Sequence, residues 1–263
     1  MTKNALLDGL NPQQKEAVLH SKGPLLVLAG AGSGKTKVLT HRFAYLTNVQ
    51  KVPATSILAM TFTNKAANEM KERISGLINK NISDLWIGTF HSLSARILRR
   101  EIDRLGFKKD FCIYDDKDSG NLVRSILKEF KIHEALYKGI LSKISSLKAS
   151  MVEPDDLLSN EDSYGFDEKF ARVYVRYQND LKNNNALDFD DLIMLTVKLC
   201  EKHPGVLKKY HNEFSHVMID EFQDTNLSQY RLTRKLAGKL KNICVVGDDD
   251  QSIYKFRGAE VKN

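Results

Sequence analysis

The residues with the plainest chemical capacity are Lys35 and Thr36, which close the run Ala29-Gly30-Ala31-Gly32-Ser33-Gly34 directly after the apolar stretch Leu25–Leu28. A polyphosphate carries several negative charges, and backbone N–H groups surround it only where side chains do not crowd the approach. Gly30, Gly32 and Gly34 meet that condition. Lys35 then reaches the β- and γ-phosphates and the Thr36 hydroxyl ligates magnesium. This is the division of labour in the pattern G-x-x-x-x-G-K-[ST], read here with Gly30 as its opening glycine. A chance glycine-rich turn is the alternative, disfavoured because strand, loop and helix follow in the required order. Asp220 and Glu221 lie in the apolar run 216–222, and carboxylates on a buried strand are costly without a task. Beside a phosphate loop, Asp220 is suited to hold magnesium through water and Glu221 to orient and deprotonate an attacking water; a satisfied structural pair is the alternative. Gln251, just past the run Ile243–Gly247, can touch a γ-phosphate. The amide of Gln14 both donates and accepts, so it can pair with an adenine edge or simply face solvent on a helix.

These groups need parallel strands that end at one edge, each followed by a helix. Leu25–Leu28 is a continuous hydrophobic run, as expected of a strand buried on both faces, and a helix over 38–46 follows it. A helix start with its own attraction for anions belongs at Lys35. Ahead of the loop, Asn11 caps and Pro12 opens a short helix. A second unit pairs a strand over 57–62 with the helix Asn64–Ile78, placing Ala66, Met70 and Ile74 on one face. Between them Phe62, Thr63, Asn64 and Lys65 crowd a strand end, where open α/β sheets put their ligands. A third unit runs from a strand over 85–90 into a helix over 93–105, with His91 between; alone, His91 reads more readily as structural than functional. From 119 to 186 only helical periodicity remains. There Lys128, Lys131, Lys138, Lys143 and Lys148 read as a solvated surface, with a weak basic face as the lesser reading, and Phe170, Tyr174 and Tyr177 read as core. Asp188, Asp190 and Asp191 then open a helix, where acidic residues suit the dipole.

The 263 residues provide ample material for a buried core, and 42% hydrophobic with 28% charged residues is ordinary for a soluble chain. The formal net charge of +7 favours a polyanionic partner, or reflects only a well-solvated surface. Cys112, Cys200 and Cys244 lack disulfide or zinc spacing and read as buried thiols in a reducing compartment. The sequence contains neither a membrane-length apolar run nor the core of a signal peptide, which implies a cytoplasmic location and no membrane partner.

In this order the motifs resemble the UvrD/Rep/PcrA family of superfamily 1 DNA helicases, over essentially the whole chain. LNPQQKEAV resembles the family's Q motif, AGAGSGKT its motif I and TFTNKAANEMKERI its motif Ia. GTFHS and LDFDDL resemble the next two, IDEFQDTN motif II and VVGDDDQSIYKFRGA motif III. The resemblance implies an α/β fold: a RecA-like P-loop parallel sheet flanked by helices, formed by 1–118 plus 187–263, with an all-helical inserted subdomain at 119–186. It implies ATP with Mg2+, and 3′ to 5′ translocation on single-stranded DNA and duplex/single-strand junctions, the work of DNA repair or replication. Carried over by position, it puts Gln14 and Arg42 on the adenine, and residues 29–37 (Ala29, Gly30, Ala31, Gly32, Ser33, Gly34, Lys35, Thr36, Lys37) around the phosphates. Thr36 and Asp220 take the metal side, Glu221 is the base, and Gln223 and Gln251 sense the γ-phosphate. Phe62, Thr63, Asn64, His91, Tyr254 and Phe256 line the DNA track, where rings stack on any base for about 1–3 kcal/mol each. Relatives usually carry tryptophan at the position of Phe256, whose smaller ring still stacks, less strongly.

The resemblance also implies that the second RecA-like domain lies outside these residues, so that the chain is an amino-terminal fragment, monomeric on its own. The arginines of that domain would be missing with it, and a missing arginine finger costs roughly 10³ or more in turnover. On this expectation the fragment binds nucleotide, hydrolyses it poorly and does not unwind a duplex. Two other readings stand beside it: a nucleotide-gated module that binds single strands without turnover, and the helicase part of a RecB- or AddA-like helicase-nuclease. A P-loop kinase or GTPase is disfavoured, since no guanine-reading NKxD pattern is present.

Overall fold

In chain order the strands are β1 (Leu25–Leu28), β2 (Ile57–Thr61), β3 (Trp86–Thr89), β4 (Cys112–Ile113), β5 (Ala186–Leu187), β6 (His216–Ile219) and β7 (Ile243–Gly247). The structure, a computed structural model, describes residues 3–30, 32–79, 82–159, 168–238 and 241–248. Five strands form one all-parallel sheet in the order β1-β7-β6-β2-β3. Successive strands in the chain are therefore not always neighbours, and β6 and β7 insert between β1 and β2. Because every strand runs the same way, all five carboxyl ends fall on one rim.

Strand alternation sorts the core into two layers. Ile57 and Ala59 pack with Leu39, Phe43, Met70 and Ile74 under the helices Lys35–Asn48 and Asn64–Ile78. Leu58 and Met60 point the other way and join Trp86, Phe90, Leu192, Tyr210 and Phe214, beneath the helices Phe90–Glu101, Phe189–Lys202 and Pro204–Glu213. The face of Asn64–Ile78 that is buried carries Ala67, Met70, Ile74 and Ile78, while Ala66 is only half-buried, one position off the expected stripe.

β1 departs from expectation. It alternates rather than burying both faces, with Leu26 at 59% and Leu28 at 54% exposure. The reason is position: among the described residues β1 is an edge strand, paired only with β7, and one of its faces has no helix over it.

Between β3 and β6 the helices Asp116–Glu129, Tyr137–Ala149, Pro154–Ser159 and Glu168–Asn183 share a separate core of Val123, Ile126, Ile144, Leu147, Phe170, Tyr174, Tyr177 and Leu181. Tyr174 and Tyr177 are fully buried. The chain enters and leaves this helical stretch through β4 and β5, two residues each, which pair in parallel (Cys112 opposite Ala186, Ile113 opposite Leu187) and so clamp its ends together. Cys200 and Cys244 are buried, but Cys112 is exposed, contrary to its reading as a core thiol, because β4 is the outer strand of this ladder and only its partner β5 is buried.

Lys148 is the other correction. It is fully buried, not solvated, and donates to Asp188 Oδ2 at 2.6 Å and Asp191 Oδ1 at 2.8 Å. Asp188 also caps the helix Phe189–Lys202, in a reciprocal box with Asp191, and accepts from the Tyr177 hydroxyl at 3.0 Å. The helical stretch and the sheet-bearing part are thus joined by an ion triad rather than by apolar contact alone.

Candidate active site

The loop after β1 is shaped by two glycines with positive φ. Gly32 is at +71° and Gly34 at +88°, a region costing an L side chain about 1–2 kcal/mol. At Gly34 a Cβ would also stand 2.8 Å from Gln14 Nε2. Gln14 itself is fixed twice. Its Oε1 accepts from the Asn11 N–H in a capping box at the start of the helix Pro12–Leu19, and its Nε2 donates to the Ser33 carbonyl at 2.8 Å. The helix ahead of the loop is thereby tied to the loop. In the pattern G-x-x-x-x-G-K-[ST] the opening position, five before Gly34, falls on Ala29 and not on Gly30, so the opening-glycine reading is corrected. Ala29 N–H donates to the Gly247 carbonyl, which sets the loop against β7. Ala31 lies outside the described residues, and Lys37 donates to the Gly9 carbonyl at 2.7 Å.

Parallel strands bring the carboxylates to the same place. Thr36 Oγ1 donates to Asp220 Oδ2 at 3.0 Å. Lys35 Nζ lies 3.0 Å from Asp248 Oδ2 and 3.9 Å from Glu221 Oε2. Asp220 is 2% exposed, and burial, then the neighbouring Glu221 charge, push its carboxyl up to about 6. A carboxylate so placed favours a cation beside it. Glu221 adopts left-handed backbone, φ +53° and ψ +44°, uncommon for a non-glycine residue and typical of functional sites. Its side chain keeps 38% exposure, and Gln223 Nε2 donates to its Oε2 at 2.8 Å. The same Gln223 accepts the Asp248 N–H at 3.0 Å, so one amide braces the ends of β6 and β7. Asp248 escaped the sequence reading, although the rule that singled out Asp220, a carboxylate at the end of a buried strand, applies to it equally. Gln251 lies outside the described residues.

Arg42 is buried, 2% exposed, with Nη1 donating to the carbonyls of Ala17 and His20 near the end of the helix Pro12–Leu19. Burial lowers its pKa, and its Nε has no partner. The structure therefore shows Arg42 holding backbone carbonyls, and not on the same end of that helix as Gln14.

The sequence matches the family described as UvrD/REP helicase N-terminal domain over residues 10–263. The chain belongs to the UvrD/REP helicase family. It is 49% identical over 262 residues to the ATP-dependent DNA helicase PcrA of Bacillus subtilis strain 168, 48% to that of Staphylococcus aureus strain Mu50 and 47% to that of Staphylococcus epidermidis. Each match takes in 99% of this chain but only 35–36% of the relative, so the chain spans about a third of the length of the curated relatives it matches.

The sheet order of this UvrD/REP domain divides the rim. β1, β7 and β6 carry the phosphate loop, Asp248, Asp220 and Glu221, whereas β2 and β3 carry the aromatic set. Phe62 is half-buried with its ring 5.4 Å from that of Phe90. Thr63 caps the helix Asn64–Ile78 through its Oγ1, and Asn64 is exposed at its start. His91 packs edge-on to Phe189 with centroids 6.1 Å apart, and Phe189 is 47% exposed. The sequence reading named the LDFDDL motif but not this ring. Tyr254 and Phe256 lie outside the described residues. No helix among the described residues is long and apolar enough to cross a membrane.

Proposed function

We propose that the β1-β7-β6 half of the rim binds ATP with Mg2+ and, within the longer protein, hydrolyses it to drive 3′ to 5′ movement along single-stranded DNA held at the β2-β3 half. The observation that carries this is the convergence of Lys35, Thr36, Asp220 and Glu221, from two separate stretches of sequence, within hydrogen-bond or ion-pair reach. Thr36 and Asp220 offer two hard oxygens, the donor type magnesium prefers, and the ion would take its other ligands from phosphate and water. Bound there, magnesium supplies Lewis-acid neutralisation of phosphate charge. Lys35 contributes a positive charge at the transferred phosphate. Glu221 orients the attacking water and accepts its proton as the bond from oxygen to phosphorus forms and the anhydride bond to the β-phosphate breaks. Gln223 holds Glu221 for this role. Residues 119–186 form a helical insertion between the two parts of the nucleotide-binding fold, 1–118 and 187–263.

The curated PcrA relatives are named as ATP-dependent DNA helicases, which supports the same reading for this chain. The test is a pair of substitutions. Lys35→Ala removes binding of a fluorescent ATP analogue, whereas Glu221→Gln in the longer protein keeps that binding and loses DNA-stimulated phosphate release by a factor of roughly 10² or more. Undiminished hydrolysis by Glu221→Gln overturns the assignment of the base.

A further inference from the structure

A cavity of about 340 Å³ opens at the seam between the helical stretch and the sheet-bearing part, and it shares no residue with the phosphate-loop site. Its size falls in the range of small-molecule sites, about 300–1,000 Å³. Two helices line it with regular stripes: Tyr174, Gln178 and Lys182 from Glu168–Asn183, and Asp191, Leu195, Lys198 and Lys202 from Phe189–Lys202. Phe107 adds a second ring.

The lining has a definite polarity. The carboxylates are already spoken for, Glu153 by Lys198 and Asp191 by Lys148. Lys182 and Lys202 are exposed and have no ion pair among the described residues, so the mouth keeps an excess of positive charge. The inner wall is formed by buried groups, Tyr174 and Asp191. There Gln178 donates through Nε2 to Asp191 at 3.0 Å, while its Oε1 is buried without a partner, which in a protein interior calls for a donor.

We infer that this cavity is a second nucleotide-sized site, taking a nucleobase that bears a phosphate. The half-buried Phe107 ring stacks on a base, the Gln178 amide oxygen accepts from a base N–H once the ligand displaces the groups that cover it, and two lysines receive the phosphate as point charges. The base comes either from a free nucleotide or from the end of a nucleic-acid strand. Occupancy bridges the two parts of the molecule, because the ligand touches Gln178 and, through it, the Lys148–Asp188–Asp191 triad.

Met194 lines the cavity and is 4% exposed, which gives a reporter. With methionine methyls labelled, titration by AMP without magnesium, and separately by a short 5′-phosphorylated oligodeoxyadenylate, shifts the Met194 resonance saturably. Lys182→Ala/Lys202→Ala weakens that binding at least tenfold and Lys35→Ala leaves it unchanged. A response to AMP alone assigns a free nucleotide, a response to the oligonucleotide alone assigns a strand end, and a response to both assigns their shared chemistry. The inference is overturned if Met194 stays still at millimolar concentrations of both. It is also overturned if Lys35→Ala abolishes the shift while the lysine pair does not, or if inorganic phosphate binds as tightly as AMP.

Discussion

Two lysines in this chain each face aspartates, and they are built for opposite ends. At the seam, Lys148 is fully exhausted: both of its carboxylates are bonded, and Tyr177 and Gln178 fill the remaining acceptor positions. Burial alone would lower Lys148, but Asp188 and Asp191 outweigh it and hold the ammonium above its ordinary value. At the rim, Lys35 reaches Asp248 and, more distantly, Glu221, while Glu221 stays partly open and sits on strained backbone. A saturated buried charge cluster fixes two parts in register, whereas an unsaturated one at a strand end is available to a ligand.

The largest expected effect separates the two directly. Lys148→Met leaves two buried aspartates unpaired and destabilises the fold by about 3–5 kcal/mol, read by urea unfolding, with affinity for an ATP analogue kept in whatever protein remains folded. Lys35→Met costs less than half as much stability and removes nucleotide binding. Adding Asp188→Asn and Asp191→Asn to Lys148→Met recovers most of the loss, since asparagine caps a helix as well as aspartate does and no charge is left buried. Equal destabilisation by the two lysine substitutions would erase the distinction.

The next effect has the opposite sign. Asp220 has its folded pKa raised to about 6 from an ordinary 3.8, so between those values the folded state holds more protons than the unfolded one. By linkage its contribution falls as pH rises through that window, and above it the ionised Asp220 is a net cost. Asp220→Asn is therefore expected to stabilise the protein by about 1–3 kcal/mol at pH 8 while abolishing hydrolysis in the longer protein. At the seam the direction reverses for Asp188. Burial opposes its ionisation, but Lys148 outweighs burial and holds its pKa below the ordinary range, so its contribution is present above 3.8 and is lost as pH falls. Unfolding of wild type and Asp220→Asn from pH 4 to 8 checks the sign at Asp220, and unfolding of wild type and Asp188→Asn as pH falls below 4 checks the sign at Asp188.

The contrast also explains what could be read in advance. The rim was legible because its residues follow strands in fixed order: Lys35 and Thr36 after a glycine loop, Asp220 and Glu221 after β6. Parallel topology then puts all strand ends together. Lys148 was misread because a lysine in an amphipathic helix looks solvated until its partners, 40 and 43 residues away, are known. Leu26 and Leu28 were misread for a related reason, since sheet order and not composition decides which strand lies at an edge.

Gly34 provides a test intermediate in size. Gly34→Ala adds a Cβ at φ +88° against Gln14 Nε2, at about 1–2 kcal/mol from backbone strain. Because the clash is with the far end of a flexible amide, Gln14 moves first, so the hydrogen bond to Ser33 is lost before the fold is. The variant should lose nucleotide affinity more than stability.

The smallest effect probes strain at the rim. Glu221 holds a left-handed conformation that asparagine tolerates better than glutamate does. Glu221→Asn should therefore raise stability by about 0.5–1 kcal/mol, offset in part by the lost hydrogen bond from Gln223, and it should eliminate turnover in the longer protein. The same substitution at a position of ordinary helical φ, such as Glu129 beside the seam, lacks that gain and loses the ion pair with Arg176. If thermal unfolding finds Glu221→Asn destabilised as much as Glu129→Asn, the backbone at Glu221 stores no strain. The difference between rim and seam would then rest on charge saturation alone.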